Sequence, residues 1–251
     1  MSYLETTPDA HPEYRQEKQA RIAGFATDQE FRELSIAWRQ MALERKYMNN
    51  FSWAGRPLIQ LPMDAMAMQE LIWAVKPDLI IETGIAHGGS LMLSASMLQL
   101  LGAGEVVGVD IEIREHNRKA IEAHPLAQRI HLIEGSSIDP ATIAQVRAHA
   151  EGKKNILVCL DSNHTHDHVL AELNAYADLV SVGSYCVVFD TFVEDMPADY
   201  EWPGRHWGKG NNPKTAVWEW IKQHPEFEID RSVEDRLLVT SAPDGFLRRK
   251  A

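Results

Sequence analysis

The sequence predicts an α/β protein built on a doubly wound, mostly parallel sheet of seven strands. Short apolar runs alternate with segments of helical spacing along most of the chain. This alternation is typical of parallel strands joined by crossover helices. The last two predicted strands, 227–229 and 237–240, have only a short turn between them, so we expect an antiparallel hairpin at one edge of the sheet.

Composition and charge exclude several classes of protein. The chain has 251 residues, of which 45% are hydrophobic and 24% charged, as in ordinary globular proteins. The net charge of −11 repels nucleic acids and anionic lipids. Residues 1–10 lack the features of a secretory signal, and no apolar run approaches the roughly 18 residues of a membrane span. We expect a cytoplasmic protein in which Cys159 and Cys186 are buried, reduced thiols.

Residues 1–60 are predicted to form an N-terminal helical extension. The stretch 13–50 contains no proline and only one glycine, Gly24, and its apolar residues recur at loose helical spacing. Asp28 is a candidate N-cap for a second helix that begins near Gln29. The extension either packs on the main domain or serves as the dimerisation arm of a homo-oligomer.

Residues 61–251 are predicted to form the main domain, which opens with a helix capped by Asp64. Its first apolar run is bounded by turns and has the length of a buried parallel strand. Pro140 fits the first turn of a later helix. The predicted helices are 64–75, 88–101, 112–121, one from Pro140 and 168–180. The predicted strands are 79–82, 105–109, 130–133, 155–160, 184–189, 227–229 and 237–240. The basic run 248–250 is expected to be a solubilising terminus.

Ligands of a doubly wound sheet bind beyond the carboxyl ends of its strands. Three predicted strands end there in an aspartate: Asp110, Asp161 and Asp190. The loop 83–90 connects the first strand to a helix. Its Gly84 permits a tight turn, and Gly88 and Gly89 are expected to let a ligand approach the helix N-terminus. The loop lacks the lysine of a nucleoside triphosphate site and is not the G-x-G-x-x-G fingerprint.

Asp110 strengthens the interpretation of the glycine loop as a cofactor site. It ends the strand that follows the loop, where a carboxylate can accept hydrogen bonds from the hydroxyls of a ribose. The alternative is that Asp110 caps the next helix. Together the loop and the acid favour an adenosine-type cofactor. Their spacing alone leaves both NAD and S-adenosylmethionine open.

The end of the sheet and several motifs point to one family. A terminal antiparallel hairpin is the usual ending of S-adenosylmethionine-dependent methyltransferases, and Glu82-Thr83-Gly84 resembles their version of the glycine loop. The segment 77–90 closely resembles the cephalosporin hydroxylase family, whose further motifs match 161–164, 183–185, 210–213 and 243–247. The resemblance extends from about Leu61 to Arg249. Despite its name, this family resembles class I methyltransferases and includes rhamnosyl O-methyltransferases.

The resemblance implies that S-adenosylmethionine binds at the rim of the sheet. In such enzymes the acid corresponding to Glu82 helps to hold the methionine end of the cofactor. The residues expected to bind the cofactor are Glu82, Gly84, Ala86, His87, Gly88, Ser90, Asp110, Ser136, Ser137 and Asp161. An NAD-dependent oxidoreductase, or a non-catalytic cofactor-binding partner of a hydroxylating or methoxylating system, remains the alternative.

The resemblance also implies a divalent metal beside the site of methyl transfer. Asp161 matches the family's acid after the fourth strand, and Asp190 matches one member of an acidic pair after the fifth. Phe189 departs from the pattern because it replaces the other acid. The run 189–192 also resembles catechol-type O-methyltransferases, with Thr191 in place of a metal-binding asparagine. Two carboxylates and a hydroxyl suit Mg²⁺ or Mn²⁺, whereas simple capping of the following segments is the alternative.

His164 is the candidate general base. It lies three residues after Asp161, and a near-neutral imidazole can take the proton of an acceptor hydroxyl. A bound metal does the same job by lowering the pKa of that hydroxyl. A zinc site formed by His164, His166 and His168 is disfavoured, since no cysteine accompanies them.

The stretch 195–213 is predicted to be a lid over the acceptor, because Trp202 and Trp207 can stack on a sugar or an aromatic face. The sequence therefore predicts an S-adenosylmethionine-dependent O-methyltransferase, assisted by Mg²⁺ or Mn²⁺ and by Asp161 and His164. The expected acceptor is a hydroxyl of a sugar, a glycan or a small secondary metabolite.

Overall fold

The computed structural model describes residues 11–251. Residues 1–10, which the sequence analysis assigned to the helical extension and searched for a secretory signal, lie outside the described residues. Within the described part of the chain, no helix combines the length and the apolar character needed to cross a bilayer.

Two helices open the described chain, α1 (Pro12–Thr27) and α2 (Gln29–Glu44). Asp28 caps α2 as predicted, because its carboxylate accepts a hydrogen bond of 3.0 Å from the Phe31 N–H. The side chains Phe31, Leu34, Ile36, Trp38 and Met41 of α2 are exposed. The predicted homo-oligomer and the division of the chain at residue 60 stay predictions.

A small hairpin joins these helices to the rest of the chain. Its strands are β1 (Phe51–Trp53) and β2 (Arg56–Leu58), within the stretch that the sequence assigned to a helical extension. The Trp53 indole donates a hydrogen bond of 3.0 Å to Ser96 Oγ, and Leu58 is buried. The hairpin therefore packs on the main body of the protein, against the helix that carries Ser96.

The main sheet has seven strands, as predicted. They are β3 (Leu79–Thr83), β4 (Glu105–Asp110), β5 (Ile130–Glu134), β6 (Ile156–Leu160), β7 (Tyr185–Val188), β8 (Phe227–Ile229) and β9 (Phe246–Arg249). Their order is β5-β4-β3-β6-β7-β9-β8. The first five are parallel, and β9 runs antiparallel to both β7 and β8. The chain winds outward in both directions from β3 and β6, so the switch point lies between these two strands.

Helices cover both faces of the sheet. They are α3 (Pro62–Val75), α4 (Gly89–Leu101), α5 (Glu115–Glu122), α6 (Pro140–Ala150), α7 (His166–Tyr176), α8 (Pro213–Trp220) and α9 (Arg231–Leu237). Successive strand residues point to opposite faces. Ile80 accordingly packs in the core formed with α3 and α4, and Ile81 packs in the core formed with α6, α7 and α8.

The predicted strand 237–240 is wrong, although a terminal antiparallel pair does exist. Asp230 caps α9 through a hydrogen bond of 3.1 Å from the Ser232 N–H, and Leu238 has a left-handed φ of 59°, which no strand accommodates. The run is apolar because Val239 is buried, not because it pairs in the sheet. The partner of β8 is instead β9, which includes Arg248 and Arg249, so these residues do not form a free basic terminus.

The predicted role of Asp64 also needs correction. Helix α3 begins at Pro62 with Leu61 at its N-cap. Asp64 is fully buried, and its carboxylate accepts hydrogen bonds from the Thr240 hydroxyl and from the N–H and Oγ of Ser241. Asp64 therefore ties α3 to the turn before β9. Burial raises its pKa to about 6 in spite of these hydrogen bonds.

Candidate active site

The loops after β3 and β6 meet at the switch point of the sheet. Gly84 has a φ of 83°, and a Cβ atom at this position would lie 2.0 Å from the Asp161 carbonyl oxygen. The Asp161 N–H donates a hydrogen bond of 2.9 Å to the Thr83 carbonyl. Only glycine permits this contact between two backbones, so Gly84 brings the glycine loop against Asp161.

Asp110 organises the glycine loop from the neighbouring strand. Its Oδ2 accepts hydrogen bonds from the N–H groups of Ile85 (3.0 Å) and Ala86 (3.2 Å). Its Oδ1 accepts one from Glu112 N–H at 3.2 Å. A carboxylate has about four acceptor positions, so one remains for a ligand hydroxyl. Because α5 begins only at Glu115, Asp110 does not cap that helix.

The start of α4 is packed against the protein's own chain. A Cβ atom on Gly89 would lie 2.2 Å from the Pro57 carbonyl oxygen, and one on Gly88 would lie 2.7 Å from Ile121 Cδ1. The expectation that Gly88 and Gly89 make room for a ligand is therefore corrected. They make room for the β1–β2 hairpin and for α5.

Arg56 and Asn117, which the sequence did not single out, hold the glycine loop through hydrogen bonds to its backbone carbonyls. Arg56 donates to the His87 carbonyl from Nε (3.0 Å) and Nη2 (2.7 Å). Asn117 donates to the Ala86 carbonyl at 3.0 Å, and its own Oδ1 accepts from Arg56. No local motif points to either residue, because both act across long stretches of sequence. In the loop itself, Ala86 and His87 contribute backbone groups to these bonds.

Glu82 is buried at the end of β3. It accepts a hydrogen bond from Ser90 Oγ. Burial raises the pKa of Glu82 to about 7, against the opposing effect of that hydrogen bond. An acid in this state becomes fully ionised when a cationic group is placed beside it. The Glu82 carboxyl, held by its hydrogen bond from Ser90, is thus placed next to the glycine loop, where it suits a cationic group of a ligand.

Asp161, His164 and Asp190 converge beyond the ends of β6 and β7. Each offers one potential ligand atom within 4.8 Å of the others, and His164 Nε2 lies 3.1 Å from Asp190 Oδ2. Burial raises the pKa of Asp161 well above its usual range, and the negative charges of Asp190 and Glu82 add to this effect. Burial also raises the pKa of Asp190, while His164 opposes the rise. The two carboxylates therefore disfavour each other's ionised form, and a proton or a cation placed between them relieves this repulsion.

The structure does not bring Thr191 into this cluster. Its side chain is fully buried, and its hydroxyl donates a hydrogen bond of 2.6 Å to the Pro243 carbonyl. Asp190 itself has a left-handed φ of 56°, after which the chain turns away from the rim. The predicted ligand Thr191 is therefore corrected, and the donor set that the structure shows is two carboxylates and the imidazole of His164.

The three histidines after Asp161 have different partners. His166 bonds to Thr215 Oγ1 through Nδ1 at 2.8 Å, whereas His168 Nε2 lies 3.0 Å from Ser137 Oγ and 3.1 Å from Ser162 Oγ. Only His164 faces the acidic cluster. The structure thus argues against a zinc site formed by the three imidazoles.

A buried polar network links the loops after β5 and β6. Glu172 is fully buried, and its Oε1 accepts a hydrogen bond of 2.7 Å from Ser162 Oγ. His168 connects this pair to Ser137, which is also buried. The Ser136 carbonyl accepts a hydrogen bond of 3.0 Å from the Asp139 N–H, which closes a turn after β5. Glu172 and His168 were missed, although their spacing of four residues places them on one helix face.

The stretch after β7 forms one wall of the site. The Trp207 indole packs edge-on against the His164 ring, with 4.6 Å between ring centroids. Glu194 Oε2 holds the loop in place by accepting from Gly210 N–H (2.8 Å) and Asn212 Nδ2 (2.5 Å). Trp202 instead packs on Tyr200. Of the two predicted stacking residues, the structure therefore places Trp207 at the site.

The seven-stranded sheet with its antiparallel β9, together with a glycine loop and an acid at the switch point, defines a class I methyltransferase-like protein. The family profile described as "Rhamnosyl O-methyltransferase/CmcI" matches residues 45–250. The chain belongs to this family of O-methyltransferases, as the sequence motifs predicted. These comparisons give no support to an NAD-dependent oxidoreductase.

Individual relatives agree with the family match. The rhamnosyl O-methyltransferase of Mycobacterium tuberculosis (strain H37Rv) is 34% identical over 192 residues, which are 74% of this chain and 73% of that protein. The Mycobacterium leprae protein of the same name is 29% identical over 205 residues, 80% and 84% of the two chains. A CmcI structure with Mg and SAM aligns with a TM-score of 0.56 and 18% identity over 81% of this chain and 78% of that chain. At this identity the similarity shows a shared fold.

Proposed function

We propose that this O-methyltransferase transfers a methyl group from S-adenosylmethionine to a sugar hydroxyl, with the help of a divalent cation. The observation that carries the proposal is the position of the Asp161–His164–Asp190 cluster. It adjoins the glycine loop on one side and the Trp207 indole on the other. Cofactor, cation and acceptor positions are thus adjacent, as in-line methyl transfer requires.

The cofactor position is proposed to lie over the glycine loop, between the ends of β3 and β4. Asp110 has an acceptor position left for a ribose hydroxyl, and buried Glu82 suits the cationic methionine end. The other proposed contacts are Gly84, Ala86, His87, Ser90, Ser136, Ser137 and Asp161. S-adenosylmethionine, when bound, supplies an electrophilic methyl group. The chain's own part is to orient that group toward the acceptor oxygen.

The cation is proposed to be held by Asp161, Asp190 and His164. Carboxylates suit Mg²⁺ and Mn²⁺, and an imidazole is accepted more readily by Mn²⁺. A divalent cation bound here lowers the pKa of a hydroxyl placed beside it. The chain's residues fit such an ion because two partly buried carboxylates and the imidazole of His164 place their potential ligand atoms within 4.8 Å of one another.

His164 and Asp190 also form an acid–base pair in their own right. Asp190 orients the imidazole through the contact of 3.1 Å between its Oδ2 and His164 Nε2. In the absence of a cation, this pair is equipped to take the proton of the acceptor hydroxyl. His164 therefore acts as a ligand or as a base, and its two roles respond differently to chelation.

The acceptor is proposed to be a sugar ring that stacks on Trp207. The indole is partly exposed, and the guanidinium carbon of Arg205 lies over its ring, 4.8 Å from the centroid. An aromatic face packs well on the apolar face of a sugar, while the hydroxyls stay free to react. The names of the relatives, which act on a rhamnosyl group, agree with this acceptor class.

The test is a methylation assay with S-adenosylmethionine labelled in its methyl group. Acceptors would be aryl rhamnosides, and catechol would be the phenolic comparison, each with Mg²⁺ or Mn²⁺. We expect label on a sugar hydroxyl and none on catechol. Transfer to catechol without any transfer to sugars would refute the proposed acceptor class, and binding of S-adenosylmethionine without transfer to any hydroxyl would refute the catalytic proposal.

A further inference from the structure

A second group of metal-ligating side chains lies at the opposite end of the sheet. In residues 11–251, Glu105, His131 and His149 each offer one potential ligand atom within 4.8 Å of the others. Glu105 begins β4, whereas Asp110 at the other end of that strand belongs to the candidate active site. At ~3.3 Å per residue the two ends of β4 are about 17 Å apart, so this group is separate from the Asp161 cluster.

The three side chains come from three different elements. His131 lies on β5, opposite Val107 of β4, and its Nε2 lies 2.8 Å from Glu105 Oε2. His149 lies in the last turn of α6, and its ring centroid is 4.7 Å from that of His131. All three are half-buried or partly exposed. Two imidazoles and a carboxylate thus meet where a helix end covers the edge strand.

We propose that Glu105, His131 and His149 form a binding site for a divalent transition metal, with Zn²⁺ as its best-suited ion. Two histidines and a glutamate are a common zinc ligand set, and imidazole ligands select Zn²⁺ over Mg²⁺ or Ca²⁺. Bonds of about 2.0–2.1 Å in tetrahedral geometry separate ligand atoms by roughly 3.3 Å. Half-exposed side chains reach that spacing by small rotations about their own torsions.

Two cationic side chains lie near Glu105 and oppose a cation here, namely Lys153 and Arg129, which donates to the neighbouring Gly104 carbonyl at 2.7 Å. The Lys153 ammonium donates to Glu105 Oε1, which leaves Oε2 as the metal-facing oxygen. A cleft of about 460 Å³ opens beside Glu105 and is lined also by Lys153 and Arg129. Because Lys153 contacts Oε1 and His131 contacts Oε2 of Glu105, Lys153 is expected to weaken the affinity for a cation without blocking the ligand atoms.

Metal binding at this site is expected to fasten α6 to the sheet. His149 ends α6, whereas Glu105 and His131 belong to two adjacent strands, so one ion joins elements that otherwise meet through apolar packing such as that of Val146. An ion that binds only the folded state raises the thermal midpoint. The site is independent of methyl transfer and does not rest on the proposed function.

The test is titration of the whole chain with Zn²⁺, followed by calorimetry and thermal unfolding. The titrations use the Asp190→Asn protein, which lacks one ligand of the Asp161 cluster. Zn²⁺ binding at the Glu105 group is thereby distinguished from binding at the Asp161 cluster. His149→Ala and Glu105→Gln should each weaken Zn²⁺ binding at least about tenfold and abolish the metal-dependent rise in melting temperature. His116→Ala, which removes an exposed histidine elsewhere, should change neither.

Lys153→Gln provides a test of opposite sign. Removing the ammonium should tighten Zn²⁺ binding by roughly fivefold, because a nearby like charge is lost. Metal-free melting curves and far-ultraviolet circular dichroism establish that each variant is folded. Equal Zn²⁺ affinity and stoichiometry in the Asp190→Asn protein and in its His149→Ala and Glu105→Gln derivatives would overturn the proposal.

Discussion

His164 and Asp190, which stand on the loops after two adjacent strands, face each other with 3.1 Å between Nε2 of the imidazole and Oδ2 of the carboxylate. The Trp207 ring packs against the other side of the imidazole. His164 is therefore fixed between the acidic cluster and the proposed acceptor wall. This arrangement is the basis for the first two predictions.

Asp190→Asn should lower turnover by roughly 10²- to 10⁴-fold, the usual size of an acid–base contribution. The change removes the charge that orients His164 and one oxygen ligand of the proposed cation. S-adenosylmethionine affinity, measured by calorimetry, should change little because Asp190 lies on the acceptor side. The exposed Asp199→Asn in the following loop is the control. A large loss of cofactor affinity in Asp190→Asn would contradict the placement of the two ligands.

Chelation distinguishes the two roles of His164. EDTA should suppress methyl transfer, and excess Mg²⁺ or Mn²⁺ should restore it, because the cation balances Asp161 and Asp190. The measurement is the initial rate before and after each addition. If activity survives EDTA, Phe189 marks a lost metal site and His164 is the base. His164→Ala should then abolish most of the activity.

Asp110→Ala should weaken S-adenosylmethionine binding about ten- to a hundredfold. The carboxylate orders Ile85 and Ala86, and its remaining acceptor position is assigned to the ribose. Losing hydrogen bonds to a charged group costs roughly 1.5–3 kcal/mol. Glu112→Ala is the matched control, since only the Glu112 backbone N–H contacts Asp110. Unchanged affinity in folded Asp110→Ala would remove the ribose role from this residue.

The raised pKa of Glu82 predicts a pH dependence of cofactor binding. Near its pKa of about 7 the carboxyl is partly protonated, and a cationic ligand favours the ionised form. Binding should therefore release protons, and affinity should rise as the pH increases through 7. Calorimetry in buffers of different ionisation enthalpy measures the protons released. Glu82→Gln should remove this dependence, and its persistence in the variant would assign the titration elsewhere.

The Glu82 carboxyl has the opposite effect on the stability of the fold, which should decrease as the pH rises. The pKa of Glu82 is about 7 in the folded protein, above the ordinary value of 4.5 for a glutamate, so between these two pH values the folded state binds a proton that the unfolded state does not. Stability from this group is fully present below a pH of 4.5 and is lost as the pH rises through about 7. The unfolding free energy of Glu82→Gln should lack this component, which urea titrations across the pH range can measure.

The periodicity of the sequence predicted the parallel strands and hence the positions of Asp110, Asp161 and Asp190 at one rim. It failed where the backbone leaves regular geometry. Asp190 and Leu238 have positive φ angles. Asp190 turns Thr191 away from the rim, and Leu238 prevents the run 237–240 from forming a strand. A positive φ is easily predicted at a glycine, but not at an aspartate or a leucine. Contacts such as that of Arg56 with the glycine loop depend on tertiary packing, which a local pattern does not contain.

The buried pair Ser162–Glu172 should contribute to stability. Ser162→Ala leaves the Glu172 carboxylate buried without this partner, at a cost of about 1–3 kcal/mol in the free energy of unfolding. Urea denaturation measures this difference. The double variant Ser162→Ala/Glu172→Gln should lose less than the sum of the two single losses, because both changes affect the same hydrogen bond. Strictly additive effects of the two changes would show that the residues are not coupled.

Trp207 is predicted to determine acceptor affinity without affecting the cofactor. Its indole lies against His164, with 4.6 Å between the ring centroids, and it makes the proposed wall for the acceptor. Aromatic packing of this kind contributes about 0.5–1.5 kcal/mol beyond buried area, or about two- to tenfold in affinity. Trp207→Ala should therefore raise the KM for a sugar acceptor by at least that factor.

Trp207→Phe should recover most of this loss, because a smaller aromatic face still stacks on the sugar. Trp73→Ala removes an exposed indole from α3 and should leave the acceptor KM unchanged. Calorimetry with S-adenosylmethionine should give the same affinity in all three variants. If Trp207→Phe raises the acceptor KM as much as Trp207→Ala does, stacking on the sugar is not the role of Trp207. Its role would then be to hold His164 in place, which requires the whole indole. A parallel fall in kcat would identify that outcome.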